Sequence, residues 1–225
     1  MFQEDNMKLH LAALALAAGS LLLAQPASAQ TTPTPEVGPW LVRFRLLNLQ
    51  PANRSDAFPA LGTNFGSNAV GVNSKWFPEV DVTYFFTKNF AAELILTYPQ
   101  EHTVTLNGTR LGTFKHLPPT LTAQYHFDVP SAPAVKPYVG LGVNLTLISD
   151  VNLSVANTAL DLSDSSVGLA FQIGVDYKLT EKVYLNLDYK RLDLNADVKV
   201  KATGAKLTTA QLDPNLFSLG VGYRF

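Results

Sequence analysis

The sequence predicts an all-β protein, an eight-stranded antiparallel up-and-down transmembrane β-barrel with short periplasmic turns and long extracellular loops. Three observations carry this. Eight stretches alternate apolar with small or polar residues. Their connections alternate between short joins and long ones. The apolar parity is too bulky to fit an eight-stranded lumen, which holds little more than side chains or one small ligand.

The chain begins with a separate element. From Met7 it reads MKLHLAALALAAGSLLLAQPASAQ, with Lys8, an apolar run over 9–23 and the small residues Ala27-Ser28-Ala29. That is the three-part pattern of a secretory signal cleaved after Ala29, so residues 1–29 are read as a signal peptide. The run falls short of the ~20 residues a spanning helix needs. The acidic MFQEDN ahead of it fits a signal's positive end poorly, which an over-extended start with Met7 as initiator would explain. Cleavage removes Lys8, Glu4 and Asp5 and leaves a mature chain of zero net charge.

Residues 30–39, Pro/Thr-rich, read as a short linker, and 40–225 as the barrel. Its strands are expected at 40–50, 76–87, 90–100, 113–127, 137–150, 166–179, 183–198 and 215–225. In the fifth, Val139, Leu141, Val143, Leu145 and Leu147 oppose Tyr138, Gly140, Gly142, Asn144 and Thr146. In the sixth, Leu169, Phe171, Ile173 and Val175 oppose Gly168, Ala170, Gln172 and Gly174. In the seventh, Val183, Leu185, Leu187 and Tyr189 oppose Tyr184, Asn186, Asp188 and Lys190. Glycines and polar groups fill a narrow lumen; the apolar parity must face lipid, where a strand needs a closed partner on each side.

Tyr84, Phe86, Phe90, Tyr125, Phe127, Tyr177, Tyr189, Tyr223 and Phe225 are expected near the short turns as an interfacial girdle. The last strand, with Phe217, Leu219, Val221, Tyr223 and Phe225 on one parity, must pair with Trp40–Gln50 to close the barrel. Tyr223 and the terminal Phe225 also look like the signal read by the barrel-assembly machinery.

PEVDVTYFFTKNFAAEL (78–94), KHLPPTLTAQYHF (115–127), KPYVGLGVN (136–144) and the Phe225 terminus resemble the OmpW family of Gram-negative outer-membrane proteins. The similarity runs from about Trp40 to Phe225; the first loop, 51–75, is its least family-like part. The resemblance implies an eight-stranded barrel whose lumen is lined by apolar side chains. It implies a role in passage of small hydrophobic molecules across the outer membrane.

Inward residues near the short turns include Arg43, Arg45, Glu93, Asp176, Asp188 and Arg224, with Gln124, His126 and Asn186 on the same parity. Opposite charges in so narrow a space must pair, so they read as an ionic plug. Nearer the long loops the inward parity turns apolar, at Leu47, Leu49, Phe77, Ile95, Ile148, Leu192, Leu194 and Leu216. Such a lining suits a hydrophobic ligand. Pro99, Pro118 and Pro119 fall inside the third and fourth strands, where a missing N–H could open the wall to lateral exit. His102 and His116 flank the second long loop and could meet across a hairpin, but read as solvated loop residues; Asn107-Gly108 reads as a turn.

No cysteine, basic block, zinc spacing, phosphate loop or hydrolase motif is present. The expectation is therefore no cofactor, metal, nucleic-acid partner or enzymatic activity. The expected partners are outer-membrane lipid, small hydrophobic solutes and the assembly machinery; the sequence gives no oligomeric state. The leading reading is a channel for small hydrophobic molecules. The alternative is a non-conducting structural or surface-interaction barrel working through its extracellular loops.

Overall fold

The computed structural model describes residues 38–60 and 63–225. The predicted signal peptide and nearly all of the linker lie outside the described residues. The described chain forms seventeen strands. They are β1 (Trp40–Gln50), β2 (Arg54–Ser55), β3 (Phe58–Ala60), β4 (Thr63–Phe65), β5 (Val70–Val72) and β6 (Lys75–Phe85). Next come β7 (Phe90–Leu96), β8 (Gln100–Leu106), β9 (Thr109–Leu117), β10 (Thr120–His126), β11 (Val135–Val155) and β12 (Thr158–Leu162). The chain finishes with β13 (Ser165–Lys178), β14 (Val183–Leu192), β15 (Asn195–Val200), β16 (Lys206–Gln211) and β17 (Asn215–Arg224).

Eight of these close into an antiparallel ring in the order β1-β6-β7-β10-β11-β13-β14-β17. The seam is β1 against β17, from Leu41 opposite Arg224 to Gln50 opposite Asn215. It is locked at its end by Phe225 N–H donating to Trp40 O (2.9 Å) and Trp40 N–H donating to Phe225 O (3.3 Å).

Side-chain parity follows the strand period of two. On β1, Arg43 is fully buried while Phe44 is 61% exposed. Phe44, Leu46, Leu141, Phe171, Ile173, Leu187 and Leu219 lie on the exposed outer face. In water a continuous apolar belt of this size would be a liability; facing lipid it is what holds a barrel in place. Inward glycines make room for large polar side chains. A Cβ on Gly174 would lie 2.4 Å from the Tyr138 ring, and one on Gly220 2.8 Å from Arg45 Cγ.

Phe86, Phe90, Tyr125, Phe127, Tyr177, Tyr223 and Phe225 are exposed around the short-turn end, with edge-to-face contacts such as Phe90–Tyr125 at 4.9 Å. Tyr189 does not join them. It pairs with Ile173 and Phe217 high on the wall, and its hydroxyl donates to Asn215 Oδ1 (2.8 Å) at the extracellular end of β17.

The expected long loops are themselves largely strands. The expected third strand stops at Leu96, the fourth splits at Pro118–Pro119, the seventh breaks at residues 193–194, and the fifth runs on to Val155. Pro99, Pro118 and Pro119 therefore lie at strand breaks, not inside strands, because a proline has no N–H to give the ladder. Beyond the ring, β8 and β9 form a hairpin on the extended β11, and β12, β15 and β16 continue the sheet to β2. The β8–β9 turn is Asn107-Gly108, both with positive φ (46° and 82°), the two-residue hairpin geometry that Asn-Gly favours. This extension has its own core, with Phe58, Val104, Phe114, Leu153, Leu162 and Val198 among its buried members.

Candidate functional site

The lumen is built in layers. At the short-turn end Leu41, Phe85, Ala91 and Tyr184 form a small apolar collar. The His126 ring lies between Phe85 (4.8 Å) and Tyr138 (4.9 Å). Below the collar a mouth of about 350 Å³ is rimmed by charges of both signs, among them Lys88, Asp128, Lys136 and Glu181. Arg224 belongs to this level. Its guanidinium lies 4.1 Å from the Phe85 ring centre and its Nε donates to Gly38 O (2.9 Å).

Above the collar lies a lattice of buried ions. Arg43 reaches Asp176 and Glu93 and donates to Thr83 Oγ1 (2.7 Å). Arg45 contacts Asp81 (2.7 Å) and donates to Asn186 Oδ1 (2.7 Å) and the Tyr138 hydroxyl (3.1 Å). Lys190 bridges Glu79 (2.7 Å) and Asp188 (2.9 Å). Gln172 donates to both Glu93 (2.8 Å) and Asp188 (2.9 Å), so the two halves are one network. Its ions come from β1, β6, β7, β13 and β14, and each ion contacts at least one of opposite sign.

Of the expected plug, Arg43, Arg45, Glu93, Asp176 and Asp188 meet here, while Arg224 sits at the mouth. The expected plug leaves out Glu79, Asp81 and Lys190. Lys190 lies on the inward parity already expected of the seventh strand, and Glu79 and Asp81 share the parity of Phe77, so the same alternation carries all three inward.

Over the lattice Leu47, Leu49, Phe77, Leu192 and Leu216 pack with Ala170 as an apolar floor. Ile95 is buried outside this floor, opposite Asp81 on β6 and Thr120 on β10. Ile148 and Leu194 belong to the core of the extension instead. That core encloses a cavity of about 50 Å³ lined almost wholly by apolar side chains, including Phe58, Phe65, Phe114, Leu160 and Leu212. A smaller cavity of about 10 Å³ lies between floor and extension, against Leu49, His102, His116, Pro118, Leu192 and Leu194.

The wall changes at this height. The β7–β10 ladder ends at Ile95 opposite Thr120, and the β8–β9 ladder starts at Gln100 opposite His116. Among the described residues no ladder pair joins 97–99 to 117–119. Asn144 Nδ2 donates to the carbonyls of Pro118 (3.2 Å) and Pro119 (3.3 Å), which also accept from Thr120 Oγ1 (3.1 Å) and Leu145 N–H (3.0 Å) respectively. His102 and His116 are not solvated loop residues. Both are buried on the β8–β9 hairpin with ring centres 4.8 Å apart, because long-range packing of that hairpin over β11 encloses them.

The sequence model of the OmpW family matches residues 36–225. Outer membrane protein W of Vibrio cholerae is 32% identical over 200 residues, spanning 84% of this chain and 89% of that protein. An uncharacterized outer-membrane protein of Sinorhizobium fredii, y4mB, is 35% identical over 195 residues, spanning 84% of this chain and 81% of that one. Among solved structures, the crystal structure of the outer membrane protein OprG from Pseudomonas aeruginosa matches with a TM-score of 0.70 at 28% identity, covering 84% of this chain and 96% of that one.

Proposed function

Because the chain belongs to the OmpW family of outer-membrane barrel proteins, we propose that it is a narrow conduit for small hydrophobic molecules across the outer membrane. The observation that carries this is the stacking of an apolar cavity of about 50 Å³ and an apolar floor above an ionic lattice. An uncharged apolar solute fits the upper part and is poorly matched to the lattice, where entry would strip ions of their partners. Ions and sugars, in contrast, need a wetted polar constriction.

A solute stopped by the lattice has the wall as its way out. The break in ladder pairing between 97–99 and 117–119 lies at the height of the floor, beside the exposed Tyr98, and is the weakest stretch of wall for such an exit. In this reading the solute enters from outside, rests above Leu49 and Leu192, and leaves sideways into the membrane.

Uptake of a hydrophobic tracer into cells or liposomes tests the reading, with Leu47→Asp or Leu192→Asp as blocked controls. Equal uptake with and without the protein removes it. Cysteines at Thr97 and Pro118, which the Ile95–Thr120 register would set opposite each other, test the exit. Unchanged uptake after they are joined rules out the lateral route.

A further inference from the structure

Gln100, His102 and His116 all turn inward from the β8–β9 hairpin and are buried to at least 95%. Three of their polar atoms lack a hydrogen-bond partner: Gln100 Oε1, His102 Nε2 and His116 Nδ1. Buried polar atoms are ordinarily paired, so three orphans on adjacent side chains, two of them lining one cavity, mark a place where a polar group is received.

The chemistry of that group follows from the partners already engaged. Gln100 Nε2 donates to Tyr98 O (3.0 Å), which leaves its Oε1 as a bare acceptor. His102 Nδ1 faces Asn73 O at 3.0 Å. A carbonyl only accepts, so Nδ1 carries the proton and Nε2 is left with its lone pair. Burial lowers the pKa of both imidazoles, which are neutral at pH 7. Two of the three orphans are thus acceptors waiting for a donor. His116 Nδ1 accepts in one tautomer and donates in the other. The neighbouring lining is Leu49, Leu192, Leu194 and Pro118, so the remainder of the ligand is apolar.

We propose that Gln100, His102 and His116 form a hydroxyl-recognition subsite that takes the O–H of an otherwise apolar alcohol or phenol. This rests on the conduit reading. The hydroxyl donates to Gln100 Oε1 or His102 Nε2 and accepts from His116 Nδ1–H in the cavity of about 10 Å³, while its hydrocarbon part reaches past Val72 and Leu212, which line both spaces, into the apolar cavity of about 50 Å³. A ketone of equal length can only accept and satisfies neither bare acceptor; an alkane satisfies none of the three.

The test is a binding titration of the full-length barrel in lipid nanodiscs with 1-octanol, octan-2-one and octane, read on the imidazole resonances. The expected result is that 1-octanol shifts His102 and His116, leaves His126 unmoved, and binds about fivefold more tightly than octan-2-one, one hydrogen bond's worth. In His102→Phe the preference shrinks while octane binding persists; the native-sequence titration stands even if that variant fails to fold. Equal binding of all three with unmoved imidazoles overturns the subsite and leaves the conduit standing. Binding of none overturns both. Zinc chloride added alone is the last arm: micromolar zinc that shifts both imidazoles and excludes 1-octanol makes the pair a metal site and overturns the assignment.

Discussion

Arg43 on β1 and Glu93 on β7, 50 residues apart in sequence, meet guanidinium to carboxylate at the centre of the barrel with neither side chain exposed. Arg43 keeps Asp176 when Glu93 is neutralised, so the loss is that of charge-assisted hydrogen bonds from Arg43, Thr83 and Gln172, which costs about 1.5–3 kcal/mol. Glu93→Gln should destabilise the barrel by that order, measured by urea unfolding in lipid vesicles. A loss below about 1 kcal/mol would show that water reaches Arg43.

Asp81 should behave differently. The lattice holds three cations, Arg43, Arg45 and Lys190, against five carboxylates, Glu79, Asp81, Glu93, Asp176 and Asp188. Asp81 touches Arg45 at 2.7 Å, yet neither of its oxygens accepts a side-chain hydrogen bond. It is the carboxylate the network uses least. Asp81→Asn should therefore change stability by less than about 1 kcal/mol in the same assay, and a loss as large as that of Glu93→Gln would make Arg45 dependent on it.

Gly174 faces Tyr138, whose hydroxyl donates to Asp188 (2.7 Å). An added Cβ would crowd both the ring at 2.4 Å and Leu187 O at 2.8 Å. Overpacking of this kind typically costs about 1–3 kcal/mol. Gly174→Ala should fall in that range, whereas Gly66→Ala, with nothing near its Cβ position, should be silent. Side-by-side denaturation of the two variants checks this.

How much of this was legible in the sequence depended on whether a residue's fate is set locally. Strand parity is local, so Leu47, Leu192 and Leu216 could be placed inside, and Phe44 or Leu219 outside, from alternation alone. The closing pair of β1 with β17 followed from the need to leave no free edge in lipid. The height of a residue in the lumen is not local. It depends on strand stagger, which is why Tyr189 lies higher than expected and Arg224, though near the short turns as expected, sits below the plug. Burial of His102 and His116 depended on a hairpin folding over a strand extension more than 30 residues away, a contact with no signature in the hairpin itself.

The end of the chain separates two roles that coincide at one residue. Phe225 closes the seam through backbone bonds to Trp40, and the sequence expectation that its aromatic ring serves assembly can be separated from that. Phe225→Ala keeps the backbone and should lower the amount of heat-modifiable barrel in the outer membrane while leaving refolding into pure lipid vesicles unchanged. Equal losses in both measurements would assign the side chain to the seam alone.

Acid should loosen the extension before the barrel. Burial, with His102 and Lys75 nearby, pushes His116 down to about 3, against about 6.5 for a free imidazole. Between those values the unfolded hairpin binds a proton that the folded one refuses, so folding stability rises with pH across that window and is lost as pH falls through it. The barrel strands remain paired on both sides, whereas β8 shares its outer edge with only the three-residue β5. Hydrogen exchange at pH 7 and pH 4.5 should therefore show faster opening of β8–β9 amides at the lower pH, with β1 and β17 little changed. His116→Gln removes the titrating group and should flatten that difference. An unchanged pH dependence in the variant would shift the acid sensitivity away from His116, to His102, whose pKa burial also lowers, or to the carboxylates.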